Sequence, residues 1–222
     1  MRTAVAAVLA WYMAGTPALA QDDLPDTTDD GLERVESKQI DALYWRPGAS
    51  LAPYERINIL DCFVAFRKDW ERDQNEGRRG VERVEAEDMQ RIRMLLAEEF
   101  SKVFTRELEE RGGYQIVDEV GDDVLLLRPA IVNLDVAAPD LRGPGRVDSY
   151  TASAGAMTLY MELYDSATSA IIGRVVDQRE GMDTGMFQIA NEVTNRAEAD
   201  RILRSWATTL HDALDDQWSG DR

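Results

Sequence analysis

The chain has 222 residues, 25 Lys and Arg against 42 Asp and Glu, a formal net charge of −17, one Cys and one His. A charge of this sign repels phosphate backbones and anionic lipid, which excludes nucleic acid and an anionic membrane surface as partners. The length suffices for one domain with a hydrophobic core. A lone cysteine forms no internal disulfide, so packing alone must hold that domain together.

Residues 1–20 divide into three parts. Arg2 gives a short positive start, Ala4 to Ala14 is apolar apart from Tyr12, and Pro17 followed by Ala18-Leu19-Ala20 offers a small-residue exit. The pattern predicts a cleavable secretory signal, cut after Ala20, and hence a periplasmic protein. The apolar run of about eleven residues is too short for a membrane-spanning helix, which needs roughly 20, and no later segment predicts a span. No cysteine follows the run to carry a lipid, because Cys62 is the only one, so no lipid anchor is expected. Arg78-Arg79 has no apolar run behind it and is not a twin-arginine signal.

Residues Gln21 to Gly31 hold five aspartates and little that is apolar, a composition that predicts a disordered leader. A single α/β domain is expected over 32–220. Leu32 to Lys38 reads as a turn or short helical piece. Ile40 to Trp45 reads as a strand ended by the Arg46-Pro47-Gly48 turn. Arg56 to Phe66 is apolar on both alternating faces, Leu60, Cys62, Val64 and Phe66 on one and Ile57, Ile59, Phe63 and Ala65 on the other. That predicts a strand in the middle of a covered sheet, with Cys62 as a core hydrophobe rather than a nucleophile. The charged stretch Arg67 to Glu82 reads as an exposed loop.

Met89, Ile92, Leu96, Val103 and Phe104 recur at helical spacing, so Glu85 to Arg111 is a helix, stopped by Gly112-Gly113. Strands follow at Tyr114 to Val117 and Val124 to Val136, the second interrupted by Pro129. Ala137 to Ser153 is a loop containing Gly143-Pro144-Gly145. Met157, Leu159, Met161 and Leu163 then alternate with Thr158, Tyr160, Glu162 and Tyr164, a half-buried strand. Ala170 to Gln178 is its hairpin partner across the Asp165–Ser169 turn. After an irregular stretch from Gly181 to Thr194, Asn195 with Glu198 forms a capping box. The closing helix presents Ile202, Leu203, Trp206, Leu210, Ala213 and Leu214 on one face. The fold predicted is an α/β (α+β) two-layer sandwich: a mixed sheet of about five or six strands with two long amphipathic helices on one face.

No residue set amounts to a reaction mechanism. His211 has no second His or Cys nearby for a zinc site and reads as solvated near a helix end. A triad of His211 with Ser101 or Ser153 lacks a nucleophile elbow. Asp26, Asp30 and Gly31 imitate half of a calcium loop that fails at Thr28 and Ser37. No metal and no cofactor is therefore expected. Two loops stand out as candidate recognition surfaces. Residues 140–151 carry Arg142, Arg146 and Tyr150 in an otherwise acidic chain, and 181–189 carry Met182, Met186 and Phe187 among glycines.

The run Ile40-Asp41-Ala42-Leu43-Tyr44-Trp45-Arg46-Pro47-Gly48-Ala49, then Tyr54, then Phe63-Val64-Ala65-Phe66-Arg67-Lys68-Asp69-Trp70, resembles the domain of unknown function 3313 family of bacterial envelope proteins. The order of the later parts is similar too: long helix, Gly-Gly stop, strands, and a closing helix with Trp206. The resemblance implies an envelope location and carries no catalytic residues over, since the family has no established activity. Many members look like lipoproteins, from which this chain departs by lacking the lipid-bearing cysteine.

The leading expectation is a non-catalytic binding or accessory module that acts on an envelope protein partner or as a homo-oligomer. One alternative is a hydrolase that uses Asp61, Asp135 or Glu162, which requires two of them to converge in an apolar-walled pocket. Another is a small-ligand carrier, which requires a deep apolar pocket between sheet and helices.

Overall fold

The computed structural model describes residues 25–77, 83–136, 156–180 and 192–220, with side chains of the last helix from Ala199 to Asp215. Among these residues an eight-stranded mixed sheet is built from β1 (Glu33–Val35), β2 (Ala42–Trp45), β3 (Arg56–Ile59), β4 (Phe63–Phe66), β5 (Gln115–Ile116), β6 (Val124–Asp135), β7 (Ala156–Asp165) and β8 (Ile171–Glu180). The helices are α1 (Trp70–Gln74), α2 (Ala86–Gly112) and α3 (Glu192–Gly220). The sheet order is β1-β2-β8-β7-β6-β3-β5, with β4 also paired to β6. From β1 to β6 every pairing is antiparallel, while β3 and β4 run parallel to β6.

Two strands more than the sequence predicts are present. The expected strand 56–66 is broken at Leu60-Asp61-Cys62 into β3 and β4, which dock end to end along one side of β6. It is not central: β4 has no further strand beyond it among the described residues, and Leu60 and Phe63 are exposed. Apolar alternation reports which faces are covered, not which strand lies alongside, and so could not place it. The segment Leu32 to Lys38, expected to be a turn or helical piece, contributes β1 instead. Within the stretch 21–31, Asp26 accepts the Arg34 N–H at 2.8 Å and Thr28 donates its N–H to Leu32 at 2.9 Å, which ties the described part to the sheet. The stretch expected as an exposed loop from Arg67 contains α1, whose Trp70 is buried and donates its indole N–H to the Val136 carbonyl at 2.8 Å.

Pro129 does not interrupt β6. Leu127 turns its carbonyl toward the Leu60 N–H at 2.9 Å, and Pro129, two residues on, points the same way. Ile59 registers with Leu127 and Phe63 with Ala130, so the missing proline N–H falls at the break between β3 and β4.

Helix α2 begins with the Glu85 N–H donating to the Asp88 carboxylate at 2.9 Å and ends at Gly113, whose φ of 67° only glycine adopts freely. Phe100, Val103, Phe104 and Leu108 are fully buried on its inner face, each worth about 1.5–3 kcal/mol of burial. Helix α3 starts at Glu192, earlier than the predicted Asn195 cap. Its Ile202, Leu203, Trp206, Leu210 and Leu214 are buried as the periodicity predicts, whereas Ala213 is exposed. Both long helices share one core with the same sheet face.

Candidate functional site

The three carboxylates of the hydrolase reading do not converge. Asp61 is exposed in the break between β3 and β4. Asp135, at the end of β6, is held by Arg67 Nε at 2.8 Å. Glu162 lies mid-strand on the sheet face turned away from the helices. It accepts hydrogen bonds from Tyr160 at 2.9 Å, Tyr164 at 2.8 Å, Arg174 at 2.9 Å and Arg128 at 3.4 Å. Arg174 also pairs with Asp30. Every oxygen of Glu162 is engaged in an ion-pair network, and no lone pair is left aimed at a substrate.

His211 is not solvated. Its side chain is only 12% exposed, with Nδ1 3.2 Å from Asp212 Oδ1 and Nε2 3.6 Å from Asp215 Oδ2. Ser101 sits exposed on α2 beside a shallow trough that does not include His211. Cys62 is buried, and burial pushes its thiol up to about 12, the opposite of what a nucleophile requires. No group of three metal-ligating side chains occurs among the described residues. The recognition-loop candidates Arg142, Arg146, Tyr150, Met182, Met186 and Phe187 lie outside the described residues.

One carboxylate that sequence patterning misses is Asp177, 2% exposed on the helix-facing side of β8. It accepts the Trp206 indole N–H at 2.7 Å, the Asp41 backbone N–H at 3.0 Å and Arg179 Nε at 2.6 Å. These bonds pin α3 and the start of β2 to β8. The signal available in the sequence was a charged residue at an inward position of an otherwise apolar alternation.

Beside this anchor, between the sheet and α3, lies a cavity of about 330 Å³. Its floor is a cross-strand row, Val35–Leu43–Val175–Met161, in which each residue registers directly with the next across β1, β2, β8 and β7. A second row, Trp45–Gly173–Leu163, runs alongside it. Trp206, Thr209, Leu210 and Ala213 form the α3 wall, and the only polar side chain in the lining is that of Thr209. No ionisable group among the described residues lines it, which suits binding of an apolar molecule.

Burial grades the cavity from its β1 end inward. Val35 is 42% exposed and Ala213 is exposed, whereas Val175 is 7%, Met161 2% and Leu163 1% exposed. The Trp45 ring lies on the backbone of Gly173 so closely that a Cβ there would sit 2.4 Å from its Cε3. Trp45 in turn donates its indole N–H to the Ala49 carbonyl at 3.0 Å. Leu51 covers one side of the cavity. Its loop is clamped by Tyr54, whose hydroxyl donates to Asp165 at 2.9 Å; burial and then that carboxylate push the Tyr54 hydroxyl up to about 12.

The cavity therefore draws its wall from the Ile40–Leu51 region, which also carries much of the resemblance noted in the sequence. Residues 27–210 match the family described as "Protein of unknown function (DUF3313)". The chain belongs to this family. A search of the curated proteins finds no match. Among solved structures, this DUF3313 member is similar to the PelC dodecamer from Paraburkholderia phytofirmans, at 11% identity and a TM-score of 0.34 over 73% of this chain and 95% of that one. A hypothetical protein from Chlamydia trachomatis is similar at 8% identity and a TM-score of 0.37, over 72% of this chain and 98% of that one. Neither likeness bears on what this DUF3313 member binds or how it assembles. No helix among the described residues is long and apolar enough to cross a membrane.

Proposed function

We propose that this DUF3313 member is exported to the periplasm through its cleaved leader and acts there as a non-catalytic binding module of the cell envelope, with the cavity under α3 as its binding site. The observation that carries this reading is the cavity itself: about 330 Å³ between sheet and helix, lined among the described residues by apolar side chains apart from Thr209. Among the three functions weighed from sequence, the carrier needs such a cavity, while the hydrolase needs in addition two converging carboxylates, and Asp61, Asp135 and Glu162 are apart. The test is to purify the protein from periplasm without detergent, extract it with organic solvent and identify released molecules by mass spectrometry. An apolar compound recovered in stoichiometric amount supports the reading. Mature protein beginning at Gln21 in the same fraction supports export.

A protein partner remains part of the proposal for a specific reason. Asp135 registers with Ala156 and Ala156 with Glu180, so the segments 137–155 and 181–191 attach at the same end of the sheet. Loops that leave neighbouring strand ends commonly serve one recognition surface, which supports this reading. Met186→Ser with Phe187→Ser should then abolish capture of the partner in cross-linked envelopes while leaving the unfolding midpoint unchanged. Loss of the fold in that double variant would assign both residues to the core instead.

A further inference from the structure

We infer that the cavity is shaped for one unbranched hydrocarbon chain of about a dozen carbons, entering tail first between β1 and α3 with its polar end left at the mouth. This rests on the cavity being the binding site and adds the chemical class of the ligand.

Length, volume and polarity all lead to that class. The floor row Val35–Leu43–Val175–Met161 crosses four strands, and three interstrand steps make it about 14 Å long, a reach that suits an extended chain. An apolar cavity of about 150 Å³ accommodates one benzene, so one near 330 Å³ takes about twice as many carbons. Exposure falls steadily along the row from Val35 to Met161, which makes the slot open at the β1 end and closed beneath β7. A carboxylate or amine carried to that end would meet the apolar side chains of Leu159, Met161 and Leu163, and the Trp206 N–H is already given to Asp177, so the cost of desolvation keeps the polar group at the mouth.

Gly173 acts on the cavity through Trp45. Because Gly173 has no side chain, the Trp45 ring packs directly against the β8 backbone. Alanine at this position drives the ring off the strand and into the slot. Gly173 and Trp45 are thus specificity determinants for a thin ligand; neither anchors it by a polar bond.

The test uses the full mature chain and straight-chain fatty acids of about six to eighteen carbons, kept below their aggregation concentrations and followed by tryptophan emission, since Trp45 and Trp206 both line the slot. Affinity should rise about fourfold per added methylene and level off near a dozen carbons. Ala213→Trp, a change at an exposed position on the mouth, should abolish the response without altering the unfolding midpoint. Gly173→Ala should weaken dodecanoate by tenfold or more. If a branched or polycyclic hydrocarbon binds as well as dodecanoate, or affinity keeps climbing to eighteen carbons, the ligand class is wrong while the cavity remains a binding site. If none of these probes binds, or Ala213→Trp binds as wild type does, the cavity reading fails with it.

Discussion

Two neighbouring cross-strand rows of the same sheet show opposite chemistry. On the helix-facing side, Trp45, Gly173 and Leu163 register across β2, β8 and β7 and border an apolar slot. One residue along each strand, on the reverse side, Tyr44, Arg174, Glu162 and Arg128 register across β2, β8, β7 and β6, and Glu162 there pairs with both arginines. The period of two fixes the separation, since adjacent residues of a strand must face opposite ways. The difference teaches where function can reside. The polar row is saturated and serves stability, whereas the apolar row leaves space unfilled where a well-packed core would leave none.

Breaking the polar row should have the largest effect. Glu162→Ala leaves Arg174 and Arg128 facing each other without their shared carboxylate, and should cost about 3 kcal/mol or more of unfolding free energy in urea titration. Ligand binding should persist in whatever fraction stays folded, because the slot is on the other face. A smaller loss, about 1–3 kcal/mol, is expected for Trp206→Phe, which leaves the buried Asp177 short of one donor. That variant should also alter ligand affinity, since the ring lines the slot. Cutting the Tyr54–Asp165 bond with Tyr54→Phe should cost about 1 kcal/mol and loosen the loop that carries Leu51.

A pH profile sharpens the same clamp. The Thr168 hydroxyl, followed by its backbone N–H, holds the Asp165 carboxyl below the usual carboxylate range. A depressed folded-state value stabilises the fold fully above the unfolded carboxylate value of about 3.9. That contribution is lost as pH falls through the lower folded value. Acid titration of Asp165→Asn should therefore lack part of the wild-type decline below about pH 4 and match its slope above about pH 5. Parallel curves across the whole range would remove Asp165 from the acid response. The least effect on stability is expected of Ala213→Trp, within about 0.5 kcal/mol because the position is exposed, and its expected loss of binding separates ligand site from fold.

The long elements were legible in the sequence because their signals are local. The stripe of Ile92, Leu96, Val103 and Phe104 and the Gly112-Gly113 stop predict α2 to within a residue at each end. The alternation from Met157 to Tyr164 predicts β7, and its hairpin with β8 follows from the turn between them. Of the short strands, β2 and β5 fall within the segments read as strands, Ile40 to Trp45 and Tyr114 to Val117, whereas β1 was not legible. Its three residues carry no period to detect, and they form because β2 offers an open edge. The site was legible only as parts. Leu43 and Trp45 read as parts of a strand and Met161 and Trp206 as parts of apolar faces, and nothing local records that the Trp45 ring packs against the bare backbone of Gly173. The ring of partners around Glu162 likewise depends on register between strands far apart in the chain, from Arg128 to Arg174, which alternation alone leaves free.

The most direct measurement is a crystal structure of the mature protein grown with dodecanoate. The account predicts one extended chain of density running under Trp45 and Trp206, from the Val35–Ala213 mouth to Met161, with the carboxylate outside. A slot filled by the protein's own side chains, with dodecanoate absent or bound elsewhere, would contradict it.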